Sequence, residues 1–339
     1  METTSPDSFS GLYELMEYFD SEQKCLDYLT ESLYGNNITC PHCNHEKVYK
    51  FSDNVRFKCA SCRKQFTAKA GTIFEDSKIP LRKWFMAIYL IVSHKKGISS
   101  HQLARDLKVT QKTGWFMLMR IRHAILQGSF EKPLEGVIEC DETFIGGKNK
   151  NRHADKKVKN SQGRSFKDKT PVMGIIEREI AEVVPRPNKN NPEKIVNEKV
   201  VSKESFLYGV TIPNTQEASI RPIIEERVKK GSIVYTDEWW AYRNLCENYN
   251  HEFVNHAAKQ YVDGEAYTNT LEGFWSLFKR SILGIYHSVS PEHLQRYIDE
   301  AVFRYNTRKD NDGNRVSLFL TKLNEGSLKY KQLIHDKKN

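Results

Sequence analysis

The sequence predicts an α/β protein: a mixed sheet flanked by helices, preceded by a metal-stapled ribbon and a small helical region. Three observations carry that prediction. Two C-x2-C pairs stand at Cys40–Cys43 and Cys59–Cys62. Beyond Pro133, short apolar runs and helical patterns follow in the order three strands, helix, strand, helix, strand and terminal helices. Three acidic residues, Asp141, Asp237 and Glu272, fall at the ends of two such runs and on a later helix.

Length and charge set the outer limits. The chain has 339 residues, enough for two or three domains. Lys and Arg number 52 against 43 Asp and Glu, and the net charge of +9 suits a polyanionic partner. Four of the seven cysteines sit in the paired motif, which favours zinc in a reducing compartment over a disulfide framework. The N-terminus lacks a basic stretch followed by an apolar core, and the longest apolar run, Trp84–Val92, is too short to span a bilayer. The chain is expected in the cytoplasm, with no membrane partner.

Residues 1–35 form the first segment. Leu12, Leu15, Met16 and Phe19 recur at helical spacing, as do Cys25, Leu26, Leu29 and Leu33. Cys25 lies on that apolar stripe and reads as core. Residues 36–72 form a zinc ribbon. Each C-x2-C pair is a tight knuckle that turns two thiolates toward one tetrahedral ion, so Cys40, Cys43, Cys59 and Cys62 are the expected ligands of one structural zinc. His42 and His45 are nearby competitors, but four thiolates complete the shell. Two short strands are expected around a turn at Ser52–Asn54. The metal replaces a core this segment is too small to build. The ribbon either contacts DNA or only holds its neighbours together, and Lys47, Lys50, Arg56, Lys58, Arg63 and Lys64 favour DNA.

Residues 73–130 read as helical. Leu81–Ser93 is apolar on one side, Gly97 breaks it, and Ser99 or Ser100 caps a short helix. A turn at Lys108–Thr110 leads to a helix over Gln111–Leu126. The pair resembles a helix-turn-helix, which would present Gln111, Lys112 and Thr113 to a DNA groove and bury Trp115, Leu118 and Ile121. The alternative is a plain helical bundle.

Residues 131–325 form the catalytic candidate. Val137–Cys140 is a strand ending in Asp141, followed by a glycine turn. The basic run 148–169 reads as an insertion lying against phosphates, with Lys148, Lys150, Arg152, Lys156 and Lys157 as candidate contacts. Further strands are expected at Pro171–Glu177, Phe206–Val210, Ile233–Tyr235 and His251–Val254, and helices at Ala218–Arg227, Trp240–Asn248 and Leu271–Ser281. Residues 185–200 read as a turn or surface excursion, and 326–339 as a polar tail. This order matches a ribonuclease-H-like core, in which Asp141 lies on the central strand with Asp237 beside it. Lys279 follows Glu272 by about two helical turns and shares its face; Arg280 adjoins it as a second DNA candidate. Three carboxylates with open positions suit up to two Mg²⁺ or Mn²⁺ ions rather than zinc. Glu139 shares a strand face with Asp141 and is a supporting acid; Glu142 and Glu238 rank below the main three.

The strings CPHC, CASC, ECDETFIGGK, VYTDEWWAY, TNTLEGFWSLFKR and HLQRYIDEAVFRYNTR together resemble bacterial insertion-sequence transposases of the DDE class, in the branch with an N-terminal zinc ribbon. The resemblance covers roughly residues 20–320. It implies that Asp141, Asp237 and Glu272 form the catalytic triad, and that Lys279 touches DNA near the cut. It also implies that Tyr305, Asn306 and Arg308 belong to a closing segment used for packing or DNA contact. Some members carry Asn in place of the final acid; this chain has Glu272. The implied activity is cleavage of element ends and transfer of the 3′-hydroxyl strand to target DNA. The implied partners are double-stranded DNA with terminal inverted repeats and target DNA, handled by a homo-oligomer. The competing readings are a DNA-binding regulator without catalysis and a ribonuclease-H-like nuclease.

Overall fold

The computed structural model describes residues 9–126, 133–146, 153–159, 168–188, 191–254, 268–321, 323 and 328–335. The chain divides into two units. One comprises Met1–Ser129, Gly284–Tyr286 and Asp299–Asn339; the other comprises Phe130–Leu283 and His287–Ile298. The sequence reading kept 131–325 together, whereas the segment from Asp299 onward groups with the N-terminal unit.

In the N-terminal unit, helices α1 (Leu12–Tyr18), α2 (Glu22–Tyr34), α3 (Leu81–Ser93), α4 (Ser100–Leu107) and α5 (Gln111–Leu126) place their apolar faces in one core. Phe19, Cys25, Leu29, Phe85, Ile88, Ile91, Leu118 and Ile121 meet there. Burial pushes the Cys25 thiol up to about 12, as befits a core residue. Ser21 caps α2 by accepting from the Lys24 amide, and Ser99 caps α4 by accepting from Gln102. The Glu22 carboxylate accepts from the amides of Leu81 and Arg82, so α2 caps the start of α3. Trp115 departs from expectation. It is half-buried rather than in the core, because it turns toward Tyr330 at a ring separation of 6.5 Å.

The ribbon holds three strands, β1 (Val48–Lys50), β2 (Arg56–Cys59) and β3 (Gln65–Thr67), in antiparallel order. Two were expected. The third is too short for alternation to reveal it, and is marked instead by Phe66 stacking on Phe57 at 5.5 Å.

The C-terminal residues differ from a polar tail. Leu328 and Leu333 are buried, and α10 (Tyr330–His335) is helical. Arg120, itself buried, donates to the carbonyls of Leu328, Ile73 and Glu75 and ties three segments to α5. Helix α9 (Asp312–Leu320) adds Val316 and Phe319 to the core. Helix α8 (Pro291–Asn306) contributes residues to both units.

The second unit is built on a five-stranded sheet in the order β10-β9-β4-β5-β8. Its strands are β4 (Val137–Gly146), β5 (Lys169–Glu177), β8 (Phe206–Thr211), β9 (Ile233–Asp237) and β10 (Asn250–Val254). The first three pair antiparallel; β9 runs parallel to both β4 and β10. Strand β4 does not end at Asp141 as expected. Its pairing with β9 covers Val137–Glu139, while its pairing with β5 continues to Gly146. Gly146 of the expected turn therefore prolongs a hairpin arm, and Gly147 lies outside the described residues. Residues 185–200 fall largely in a separate two-stranded sheet, β6 (Ile180–Asn188) with β7 (Asn191–Lys203). Its prolines and mixed charges hide the alternation; both strands are mostly exposed on both faces, so no apolar face is written into them.

One face of the five-stranded sheet carries Ile138, Cys140, Ile175 and Val234 against α6 (Glu217–Arg227) and the 3-10 turns Trp240–Glu247. The other faces α7 (Asn269–Ser281), which packs on β4 and β5. The edge strand β8 is closed by Gln295, whose side-chain amide accepts from the Thr211 amide and donates to the Gly209 carbonyl. Among the described residues no helix is long and apolar enough to cross a membrane.

Candidate functional site

Strands β4 and β9 pair in parallel with Val137 beside Ile233 and Glu139 beside Tyr235. The same offset of 96 sets Asp141 level with Asp237, two residues past the last paired position. The two acids therefore stand where the central parallel strands part at their carboxyl ends. Side chains alternate along a strand, so Glu139 and Asp141 share one face, as do Tyr235 and Asp237.

That face is the one α7 covers. Gly174 lies directly across from Asp141 in the β4–β5 ladder. A β-carbon there would come within 2.6 Å of Trp275 Cζ2 and 2.8 Å of Leu271 Cδ1, both on α7. The absent side chain lets α7 lie against the sheet beside Asp141. Glu272 is exposed in the first turn of α7, and Lys279 is exposed in its last turn.

Electrostatics register the convergence. Burial, and then the neighbouring carboxylates of Asp237 and Glu272, raise the Asp141 carboxyl to about 7. The Glu142 amide and Lys279 oppose the rise without cancelling it. Lys279 is lowered by desolvation and by Lys169, while Asp141 draws it upward. Asp237 is buried, and its Oδ1 accepts from the Trp239 amide at 3.0 Å. Next to it, Thr236 Oγ1 meets His251 Nε2 at 2.9 Å. Asp237 and Glu272 thus both act on Asp141; among the described residues, the ribbon thiols are the group gathered closely enough to hold a metal ion as they stand.

The lower-ranked acids separate by face. Glu142 points away from α7 and bonds the Tyr242 hydroxyl. Glu139 is wholly buried and accepts from Arg178 Nε at 2.7 Å and from the Leu271 amide at 3.0 Å. Arg178, Gly174 and Trp275 were not singled out from the sequence. Their roles depend on cross-strand register and helix packing, which leave no local pattern.

In the ribbon, Cys40 Sγ lies 3.7 Å from Cys62 Sγ, and Cys43 Sγ lies 3.6 Å from Cys59 Sγ. All four sulfurs fall within 4.8 Å of one another. Tetrahedral zinc with Zn–S bonds of about 2.3 Å requires S···S separations of about 3.8 Å, so the four thiols fit that ion. Asn44 and Arg63, each following the second cysteine of its pair, take left-handed φ values of 57° and 62° and close the knuckles. Desolvation opposes ionisation of Cys59, yet the Cys62 and Ser61 amides that point at its sulfur prevail and bring it to about 6. His42 and His45 are exposed and stand outside the cluster.

The remaining candidates are scattered. Lys148, Lys150 and Arg152 lie outside the described residues, as does the side chain of Lys156; Lys157 is exposed. Arg280 is exposed, with its Nε on the Ser276 carbonyl. Gln111 and Lys112 are exposed and Thr113 is half-buried. Gln111 bonds Ser100 Oγ, Thr113 bonds Thr110, and Lys112 sits 4.7 Å from the Tyr330 ring centroid. Arg308 stacks on Tyr305 at 4.3 Å, so that closing segment packs on itself.

Comparison with known proteins agrees with this arrangement. Residues 133–306 match the model of the ISXO2-like transposase domain, and residues 20–65 match the transposase zinc-ribbon domain. A protein in transposable element ISH50 of Halobacterium salinarum is 28% identical over 292 residues, spanning 83% of this chain and 89% of that protein. A transposase-like protein of Haemophilus influenzae is 34% identical over 123 residues, spanning 36% of this chain and 96% of its own length. Among solved structures, the Mos1 strand transfer complex aligns over 73% of this chain and 78% of that chain at 15% identity and a TM-score of 0.24. The pre-cleavage Mos1 transpososome aligns over 71% and 78% at 12% identity and a TM-score of 0.21. Those two likenesses are too slight to carry weight. The family matches rest on both the ribbon and the acid-bearing unit, and the chain belongs to the IS1595 family of DDE transposases with an N-terminal zinc ribbon.

Proposed function

We propose that this chain cuts DNA at the ends of a mobile element and joins the freed 3′ ends to target DNA, with Asp141, Asp237 and Glu272 as its catalytic triad. The observation that carries the reading is the parallel register that sets Asp141 level with Asp237, with α7 and its Glu272 packed on the same face of the sheet; burial and those two acids raise the Asp141 carboxyl. An aspartate whose ionisation is disfavoured by two neighbouring acids suits a site that takes up cations. Their hard oxygens fit Mg²⁺ or Mn²⁺. When bound, up to two such ions supply charge neutralisation at the scissile phosphate and activation of the attacking oxygen.

The strand order, with β4 central and parallel only to β9, supports a ribonuclease-H-like reading of the sheet. Asp141 and Asp237 would hold the site from the two parting strands, and Glu272 from α7. Lys279, on the same helix and within the electrostatic reach of Asp141, would hold a phosphate beside the cut. In the first step a water oxygen bonds to phosphorus and the bond to the 3′ oxygen breaks, leaving a 3′-hydroxyl and a 5′-phosphate. In the second, that 3′-hydroxyl attacks a target phosphodiester, releasing the target's own 3′ oxygen. No covalent protein intermediate is needed. Helices α4 and α5 would dock on DNA as a helix-turn-helix through Gln111, Lys112 and Thr113, beside the ribbon. Two ends handled together call for a homo-oligomer on DNA.

The test is strand cleavage and joining on duplexes made from the DNA that flanks the gene. Asp141→Asn, Asp237→Asn and Glu272→Gln are expected to bind these duplexes and cut them no better than background. Full Mg²⁺-dependent cleavage by the Asp237→Asn protein would overturn the triad. Hydrolysis without joining by the wild type would reduce the activity to that of a nuclease.

A further inference from the structure

Directly behind the three acids lies a second row of residues. Glu139 stands two positions before Asp141, Tyr235 two before Asp237, and Leu271 one before Glu272. Arg178 and Glu139 tie this row together. Arg178 Nε donates to Glu139 Oε1 at 2.7 Å, and its guanidinium lies 4.6 Å from the centroid of the Tyr235 ring. The other oxygen, Glu139 Oε2, accepts from the Leu271 amide at 3.0 Å.

We propose that Glu139 is the positioning residue of this site: it fixes Glu272 relative to Asp141 by capping the helix that carries Glu272 from the strand that carries Asp141. This rests on the reading of Asp141, Asp237 and Glu272 as the metal-holding triad. Helix α7 begins at Asn269, and the preceding Thr268 offers it no side-chain cap. The first amides of a helix lack partners within it, and its N-terminus favours an anion. Glu139 supplies both needs from another element. It is wholly buried, which a carboxylate tolerates only when its oxygens are bonded and its charge is matched. Each oxygen has its donor, and Arg178 supplies the charge. A buried group with two fixed donors holds its place more rigidly than an exposed cap would. One peptide unit then separates the held amide from the residue bearing the Glu272 carboxylate. The strand holds Glu139 and Asp141 on one face, so one short rigid path joins two of the three acids. Groups that orient a ligand from behind commonly change metal affinity by about 10–100-fold when altered.

The decisive variant is Glu139→Gln, which keeps the shape but puts an amide nitrogen against one of two donors. Three readouts are taken on the full zinc-loaded chain: hydrogen exchange along α7, Mn²⁺ binding in the presence of duplex DNA by paramagnetic resonance, and strand cleavage against Mn²⁺ concentration. The expected result is at least about tenfold faster exchange at Leu271 and Glu272, with the five-stranded sheet unchanged. Mn²⁺ affinity should fall about 10–100-fold, and the Mn²⁺ concentration giving half-maximal cleavage should rise to match. Wild-type exchange and Mn²⁺ affinity would overturn the proposal. So would faster exchange throughout the sheet with Mn²⁺ affinity intact, the mark of a purely structural acid. Should Glu139→Gln fail to fold, Arg178→Lys decides. It keeps the charge but loses the Nε geometry, and should weaken Mn²⁺ binding about threefold or more; unchanged binding overturns the proposal. Glu272→Gln, run alongside, separates the two claims. If it cleaves normally the triad reading fails, whereas if it is inactive and Glu139→Gln behaves as wild type, only the positioning role fails.

Discussion

Gly174 faces Asp141 across the β4–β5 ladder, and the missing side chain is what allows Trp275 and Leu271 of α7 to close over that point. A glycine in the middle of a strand weakens it and is retained where something must approach closely. Here the approaching element carries Glu272.

Gly174→Ala is therefore expected to push α7 away from β5. The added carbon would sit 2.6 Å from Trp275 and 2.8 Å from Leu271, closer than packed atoms tolerate. Overpacking of this kind costs about 1–3 kcal/mol, which thermal unfolding will read. A misplacement near 1 Å at a reacting centre costs up to about 100-fold in rate. Cleavage should fall at least about tenfold while DNA binding and zinc content hold.

Asp141 gives the protein a pH signature. An unfolded aspartate titrates near 3.9, whereas this one is raised to about 7 by burial and its two acidic neighbours. Between those values the folded chain holds a proton that the unfolded chain has released, so stability falls as pH rises from about 4 to about 7. Mn²⁺ should take the proton's place and flatten that slope. Melting temperatures measured across this range, with and without Mn²⁺, check it; Asp141→Asn should lose the downward slope that wild type shows without Mn²⁺.

The ribbon is expected to depend on a metal held by its four thiols. Cys40→Ser and Cys59→Ser should each lower bound zinc from one per chain toward none, and β1–β3 should lose hydrogen-exchange protection. The small Phe57–Phe66 cluster is too little to hold three short strands alone. One zinc per chain in both variants would refute the four-thiolate site.

In the N-terminal unit, Glu300 is buried between Arg122 and Arg304, with Tyr286 donating to it at 2.9 Å. Burial alone would raise its carboxyl, but the two guanidiniums prevail and hold it low. Its stabilising contribution is present above the ordinary glutamate range and is lost as pH falls through the lowered value. Glu300→Gln leaves two buried cations without their anion. It should cost about 3–5 kcal/mol, seen as a lower urea midpoint with an unchanged slope.

Much of this molecule is written locally. Two C-x2-C pairs state a tetrahedral thiolate site whatever surrounds them, because each knuckle is made by neighbouring residues. Short apolar runs announced β4, β5, β8, β9 and β10, and Asp141, Asp237 and Glu272 stood out beside the patterns that carry them. Where alternation fails, the reading failed too: β3 is too short, β6 and β7 have no apolar face, and Leu328 and Leu333 are isolated apolar residues among polar ones.

Only the tertiary structure decided how the three acids come to act on one another. A strand announces which residues share its face, but not which strand lies beside it or in what register. The offset that sets Asp141 level with Asp237, the glycine that lets α7 approach, and the buried Glu139 that joins β4 to the start of α7 are relations between distant segments. Such relations arise when apolar faces are buried together, and that energy belongs to the pairing of surfaces rather than to any one stretch of chain.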